Sequence, residues 1–196
     1  MTPVRPSPVR LRRLIDAAME LERQTMHLYC QFESQFVQPE ELRRFWFDMA
    51  QHESRHFGAL ALVAGLIEGA PQRDLPTATA LTPSRVQHLR RLLDRLRREV
   101  AAGVTLARAF EISLEIESSE IEDVVLDLLH SLKGEAERER ATQLLIHDLG
   151  DLSYMIEKYT TDHVLLARAD ALLEQQVGRL RGRPSTARAN LRRVKG

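Results

Sequence analysis

The chain has 196 residues, 43% of them hydrophobic and only 5% aromatic, with 28 basic against 28 acidic side chains and a single cysteine. That is enough chain to bury a core within one domain; a net charge of zero argues against a general nucleic-acid binder, and one cysteine, Cys30, excludes intrachain disulfides and four-cysteine zinc or iron sites. No apolar run approaches the roughly 20 residues that cross a bilayer, and Arg5, Arg10, Arg12 and Arg13 lead into no apolar block of the kind a secretory leader carries, so a cytoplasmic, non-membrane protein is expected.

Leu, Ala, Arg and Glu dominate, and runs of β-branched residues alternating at period two are missing, so the chain reads as all-α. A first helix is expected from the proline-punctuated start to about residue 36, with Leu11, Ile15, Ala18, Thr25, Tyr29, Phe32 and Phe36 on one face. Pro39 opens a second, whose stripe is Leu42, Trp46, Met49, Leu60, Val63 and Ile67 and which stops at the Gly69-Ala70-Pro71 signal. After an irregular connector, Thr82-Pro83 supplies a capping hydroxyl and a first-turn proline for a basic amphipathic helix that Gly103 breaks or kinks. A third core helix is expected over residues 106–132, with Phe110, Ser113, Ile121, Val124 and Leu128 inward, and a fourth over 135–159, with Ala141, Leu144, Leu145, Leu152, Met155 and Tyr159 inward. Asp162 can cap a further amphipathic segment. The organisation is a basic arm (1–10), a four-helix bundle with an extra helix in its long crossover (11–160), a C-terminal helix (161–181) and a basic tail without fixed structure (182–196).

Acidic residues then fall where only apolar ones belong. At about 100° per residue, Glu22 sits at the centre of the first stripe, Glu53 and His56 lie between Met49 and Leu60 on the second, and Glu117 and Glu120 lie between Phe110 and Val124 on the third. On the fourth, Asp148 is central and Asp151 is at the edge. A lone buried carboxylate costs several kcal/mol unless paired or neutralised, so acids entering one core from four helices need a common cause. Divalent metals supply it, because they take carboxylate oxygens and imidazole nitrogen, and Glu53 and His56, one turn apart, reach one metal or two adjacent ones. Salt bridges to inward arginines such as Arg55 or Arg108 are the alternative.

This ordered set resembles the ferritin-like di-iron carboxylate proteins, in particular the rubrerythrin branch, over about residues 11–159. The first helix of that family carries a glutamate seven residues before a tyrosine, as do Glu22 and Tyr29, its second carries Glu-x-x-His, as do Glu53 and His56, and its third carries two glutamates three apart, as do Glu117 and Glu120. The resemblance implies two metal ions, iron first, with Glu53 and Glu117 bridging, Glu22 and His56 terminal, Asp148 and Asp151 completing the second side, and Glu120 moving on and off the metal with redox state. The fourth helix departs from the pattern: a second Glu-x-x-His is replaced by Asp148-Leu149-Gly150-Asp151. Aspartate is about 1.5 Å shorter than glutamate, and a carboxylate in place of imidazole favours harder coordination, hence manganese or a mixed pair as alternatives.

The implied activity is a rubrerythrin-like oxidoreductase, either reducing hydrogen peroxide or dioxygen or oxidising Fe(II), in a homodimer and with an external electron donor because the rubredoxin cysteines are missing. The alternative is a ferritin-like bundle with a degenerate metal site, acting as a structural or interaction module. Tyr29 reads as a core aromatic bonding a ligand carboxylate, His52 and His147 as surface residues or residues behind the ligands, and Cys30 as a buried or half-buried thiol. The helix bearing Arg85, Arg90, Arg91, Arg95, Arg97 and Arg98 reads as a solvated face paired with acids, or else as a subunit interface or a face for an anionic partner. Residues 1–13 hold four basic side chains and 179–196 hold seven, with no acid in either, so the body between carries 17 basic against 28 acidic residues.

Overall fold

The computed structural model describes residues 8–69, 82–119 and 135–181. Among them are six helices and no strand: α1 (Pro8–Gln35), α2 (Glu40–Gly69), α3 (Pro83–Ala101), α4 (Leu106–Glu117), α5 (Glu135–Tyr159) and α6 (His163–Arg181). The expected basic arm, connector and tail fall almost wholly outside the described residues. No helix among the described residues is long and apolar enough to cross a membrane.

Local chemistry accounts for where these helices begin. Thr82 accepts a hydrogen bond at Oγ1 from the Arg85 N–H and Pro83 follows it, which starts α3; Thr105 does the same for the Arg108 N–H at the start of α4. Asp162 accepts from the N–H groups of Val164 and Leu165, capping α6. Between α3 and α4 the chain turns at Gly103, whose φ of 90° lies in the left-handed region that favours glycine.

α1 and α2 pack along one another as a hairpin, α3 lies against α1, and α5 and α6 form a second hairpin that meets α2 and α4. Tyr159 Oη donates to Glu41 Oε2 over 3.0 Å, tying the end of α5 to the start of α2. The core between these elements is apolar, with Trp46 fully buried at its aromatic centre. The Trp46 ring lies 4.7 Å from Phe45, 4.9 Å from Phe32 and 5.3 Å from Phe110, and stacks on Tyr29 at 6.2 Å. Outside, Arg108 bonds Glu99 of α3 at 2.6 Å and Glu111 and Glu115 of α4 at 2.6 and 3.0 Å, while Arg95 bonds Glu115 at 2.7 Å. At Arg95 the basic helix is thus a solvated face paired with acids on its neighbour.

Three expectations need correction. α4 ends at Glu117 rather than running through residue 132: the Ser118 N–H closes on Leu114 O and its hydroxyl on Glu115 O, the local bonding by which serine competes with a continuing helix. Residues 120–134, with Glu120, Ile121, Val124 and Leu128, lie outside the described residues. Leu144 is 45% exposed; Leu145 is buried as expected, and Leu149 is buried with it. Cys30 is exposed, because it is one step past Tyr29 and so about 100° off the buried stripe.

Phe110 joins α4 to the aromatic centre contributed by α1 and α2. Phe110→Ala is expected to cost about 3–5 kcal/mol in chemical denaturation followed by circular dichroism.

Candidate metal centre

Glu22 occupies the middle of the α1 stripe, between Ala18, Thr25 and Tyr29, all buried. The same helix rotation that buries those three aims Glu22 at α2. Glu53 and His56 face it from α2, one turn apart, and Glu117 comes in from the last turn of α4. Glu22, Glu53 and Glu117 are 0%, 1% and 2% exposed, so all three carboxylates are out of water.

His56 Nδ1 lies 3.6 Å from Glu22 Oε2 and 3.7 Å from Glu53 Oε2. One ligand atom from each of the three lies within 4.8 Å of the others, a buried cluster of two glutamates and a histidine that could chelate a metal ion. Ligands held about 2.1 Å from a metal sit about 3.0–3.4 Å apart at octahedral or tetrahedral angles, so small side-chain adjustments bring the three onto one ion. Among the described residues neither oxygen of Glu22 accepts a hydrogen bond, and the carboxylate meets the His56 imidazole but no arginine or lysine. Arg108 is committed to the α3–α4 surface, and Arg55 is exposed and bonded to Gln51 at 2.8 Å. Two carboxylates and an imidazole suit iron, manganese or zinc.

Glu117 stands beside this trio. Its Oε1 accepts a 2.8 Å hydrogen bond from Tyr29 Oη, the role expected for that tyrosine. Burial holds the Tyr29 phenol well above its ordinary pKa, and the charges of Glu117 and Glu53 add to the shift, so the hydroxyl keeps its proton and remains a donor.

On α5, Asp148 Oδ2 lies 3.0 Å from His52 Nδ1. His52 is only 2% exposed, and its ring lies 4.2 Å from that of His56, tilted by 58°. Burial pushes the Asp148 carboxyl up to about 6, against the opposing charges of His147 and Arg55. Asp151 is 58% exposed and lies 3.4 Å from His147, itself 74% exposed. Asp148 and Asp151 also line a cleft of about 190 Å³ between α2 and α5, with Phe45, Met49, Tyr154 and Met155.

Of the seven residues singled out from the sequence, the structure brings together Glu22, Glu53 and His56, sets Glu117 alongside through Tyr29, and joins Asp148 to the group through His52. It turns Asp151 to the surface, and Glu120 lies outside the described residues. Of the two places the sequence left open for His52, the surface or behind the ligands, the structure shows a buried ring beside His56, and the four-residue spacing puts both rings on one helix face. No protein-family model, curated protein or solved structure matches the chain, so the functional reading rests on these residues.

A buried carboxylate with no hydrogen-bond donor among the described residues burdens the metal-free fold. Glu22→Gln, nearly isosteric and neutral, is expected to raise the stability of chelator-treated protein by about 1–3 kcal/mol in urea unfolding. A loss of stability would reveal donors holding the charge.

Proposed function

We propose that the chain is a ferritin-like, rubrerythrin-like oxidoreductase that holds iron at Glu22, Glu53 and His56 and acts on hydrogen peroxide or dioxygen. The observation that carries this reading is the buried trio, above all a Glu22 carboxylate at 0% exposure that accepts no hydrogen bond from the described residues. Iron bound there would supply a one-electron redox couple. Glu22 and Glu53 provide two negative charges to offset a dication, and His56 a nitrogen that favours a transition metal over magnesium or calcium.

Tyr29 keeps Glu117 in place and holds a proton at Oη next to the cluster. The aromatic wall of Trp46, Phe32 and Phe110 closes the adjoining core to water. Reducing peroxide to two waters takes two electrons and two protons. One iron couple yields one electron, and the sole cysteine cannot build a four-cysteine centre, so the reading includes an external donor. Fe(II) oxidation by dioxygen is the close variant, with Fe(II) as substrate, and the family resemblance suggests a homodimer.

A second reading, a structural or interaction module with a degenerate site, draws on one observation: Asp151, a fourth-helix position of the metal pattern, is 58% exposed. The two readings part on metal content. Protein purified with ferrous iron is expected to hold at least one ion per chain and to change its absorption spectrum on peroxide addition. It should also melt at lower temperature after chelation, since free metal at 100 times Kd stabilises by about 2.7 kcal/mol. Metal well below one per chain with no spectral change would leave the second reading standing. Rates of Fe(II) oxidation against peroxide turnover with added reductant would separate the two oxidoreductase variants.

A further inference from the structure

Resting on the oxidoreductase reading above, which includes an external electron donor, we infer that the outward face of α3 is the docking surface for that donor, and that the donor is an acidic electron-carrier protein. At about 100° per residue, Arg91 and Arg98 stand opposite the buried stripe of Val86, Leu89, Leu93, Leu96 and Val100, and Arg90 and Arg97 flank them on one side. All four are exposed, and the members of each pair stand two turns, about 10.5 Å, apart along the helix. The helix carries arginine and no lysine, and a guanidinium can take a carboxylate through two parallel hydrogen bonds where an ammonium acts as a point charge.

The face lies over the helices that build the buried cluster. On α1 the Glu20 carboxyl is held at about 2, first by hydrogen bonds from Arg23 and Gln24, and the charge of Arg90 adds to the lowering; Glu20 is two residues before Glu22. On α4, Glu115 accepts a 2.7 Å bond from Arg95, two residues before Glu117. α3 is therefore level with both inward acids, on the outer side of the helices that carry them. Charge complementarity then selects the partner. Exposed Asp94 falls between the two arginine rows. A nucleic acid would carry an unbroken line of phosphates past it, and like charges that meet across an interface cost affinity. The separate carboxylates of an acidic protein can meet the arginines and leave a neutral or basic group opposite Asp94. Electron-carrier encounters are small and steered by such charges, so a face one helix wide suffices. Two one-electron carriers serve one peroxide: each is oxidised by one electron, and the peroxide takes up two protons from solvent and becomes two waters.

The test is calorimetric titration of the iron-loaded full chain with an acidic plant-type [2Fe–2S] ferredoxin, together with peroxide turnover driven by the same ferredoxin in its reduced form. Micromolar binding that weakens as salt rises is the expected result. Arg91→Glu combined with Arg98→Glu is expected to weaken binding about 10-fold and to raise the KM for ferredoxin by a similar factor, and the milder Arg91→Gln with Arg98→Gln about threefold. Both pairs should keep their helix content by circular dichroism and their turnover with ascorbate. Arg168→Glu, which reverses an exposed charge on α6, should stay within about twofold of the unmodified chain. No ferredoxin binding, or binding that the α3 variants leave unchanged, would overturn this inference, while iron uptake and turnover with ascorbate would keep the proposed function. Tighter binding of a short DNA duplex through the same arginines would also overturn it. A chain that takes up no iron would overturn the proposed function and this inference together.

Discussion

Three carboxylates, Glu22, Glu53 and Glu117, enter one apolar core, and much of the surrounding structure answers that constraint. Each would cost several kcal/mol if left charged and unsupported away from water. Among the described residues their surroundings include a phenol held protonated by its own burial, an imidazole near two of the acids, and a second imidazole ring tilted against the first. Two glutamates and a histidine converging in that setting are what make the cluster one that could chelate a metal ion.

Two arginines of the described residues are placed elsewhere. Arg108 and Arg95 link α3 to α4 on the outside, where a solvated pair is worth little individually but a shared network fixes the angle of α4. That angle delivers Glu117 inward from the last turn of the same helix. One face of α4 thus carries acids matched by arginines in solvent, and the opposite face carries an acid matched by a tyrosine in the core. The net charge of zero conceals this division, since an acidic body is balanced by basic ends.

How much of this was readable beforehand depends on the kind of information involved. Glu22, Glu53 and His56 were legible because a charge in the centre of an apolar stripe breaks a pattern that each helix states for itself. The Thr82-Pro83 and Asp162 caps and the turn at Gly103 were legible for the same local reason. What failed required knowing a neighbour. Periodicity put Asp148 inward but could not say that a histidine on α2 would meet it, and it put Asp151 at the edge of a stripe, where a small rotation of α5 decides between core and solvent. The end of α4 carries no glycine or proline, and two serines closing their own turn leave a weak mark in a sequence. Cys30 next to Tyr29 shows the scale of the difficulty, since one residue separates a buried side chain from an exposed one.

The chain has one tryptophan, and it stands in the aromatic group that adjoins the acids. Trp46 stacks on Tyr29, and the Tyr29 hydroxyl bonds Glu117. A single indole, shielded from solvent and two contacts from the buried Glu117 carboxylate, makes the protein its own optical probe. Its emission arises from one known position, so quenching by a paramagnetic ion and the red shift of unfolding can be read separately from the same sample without any label.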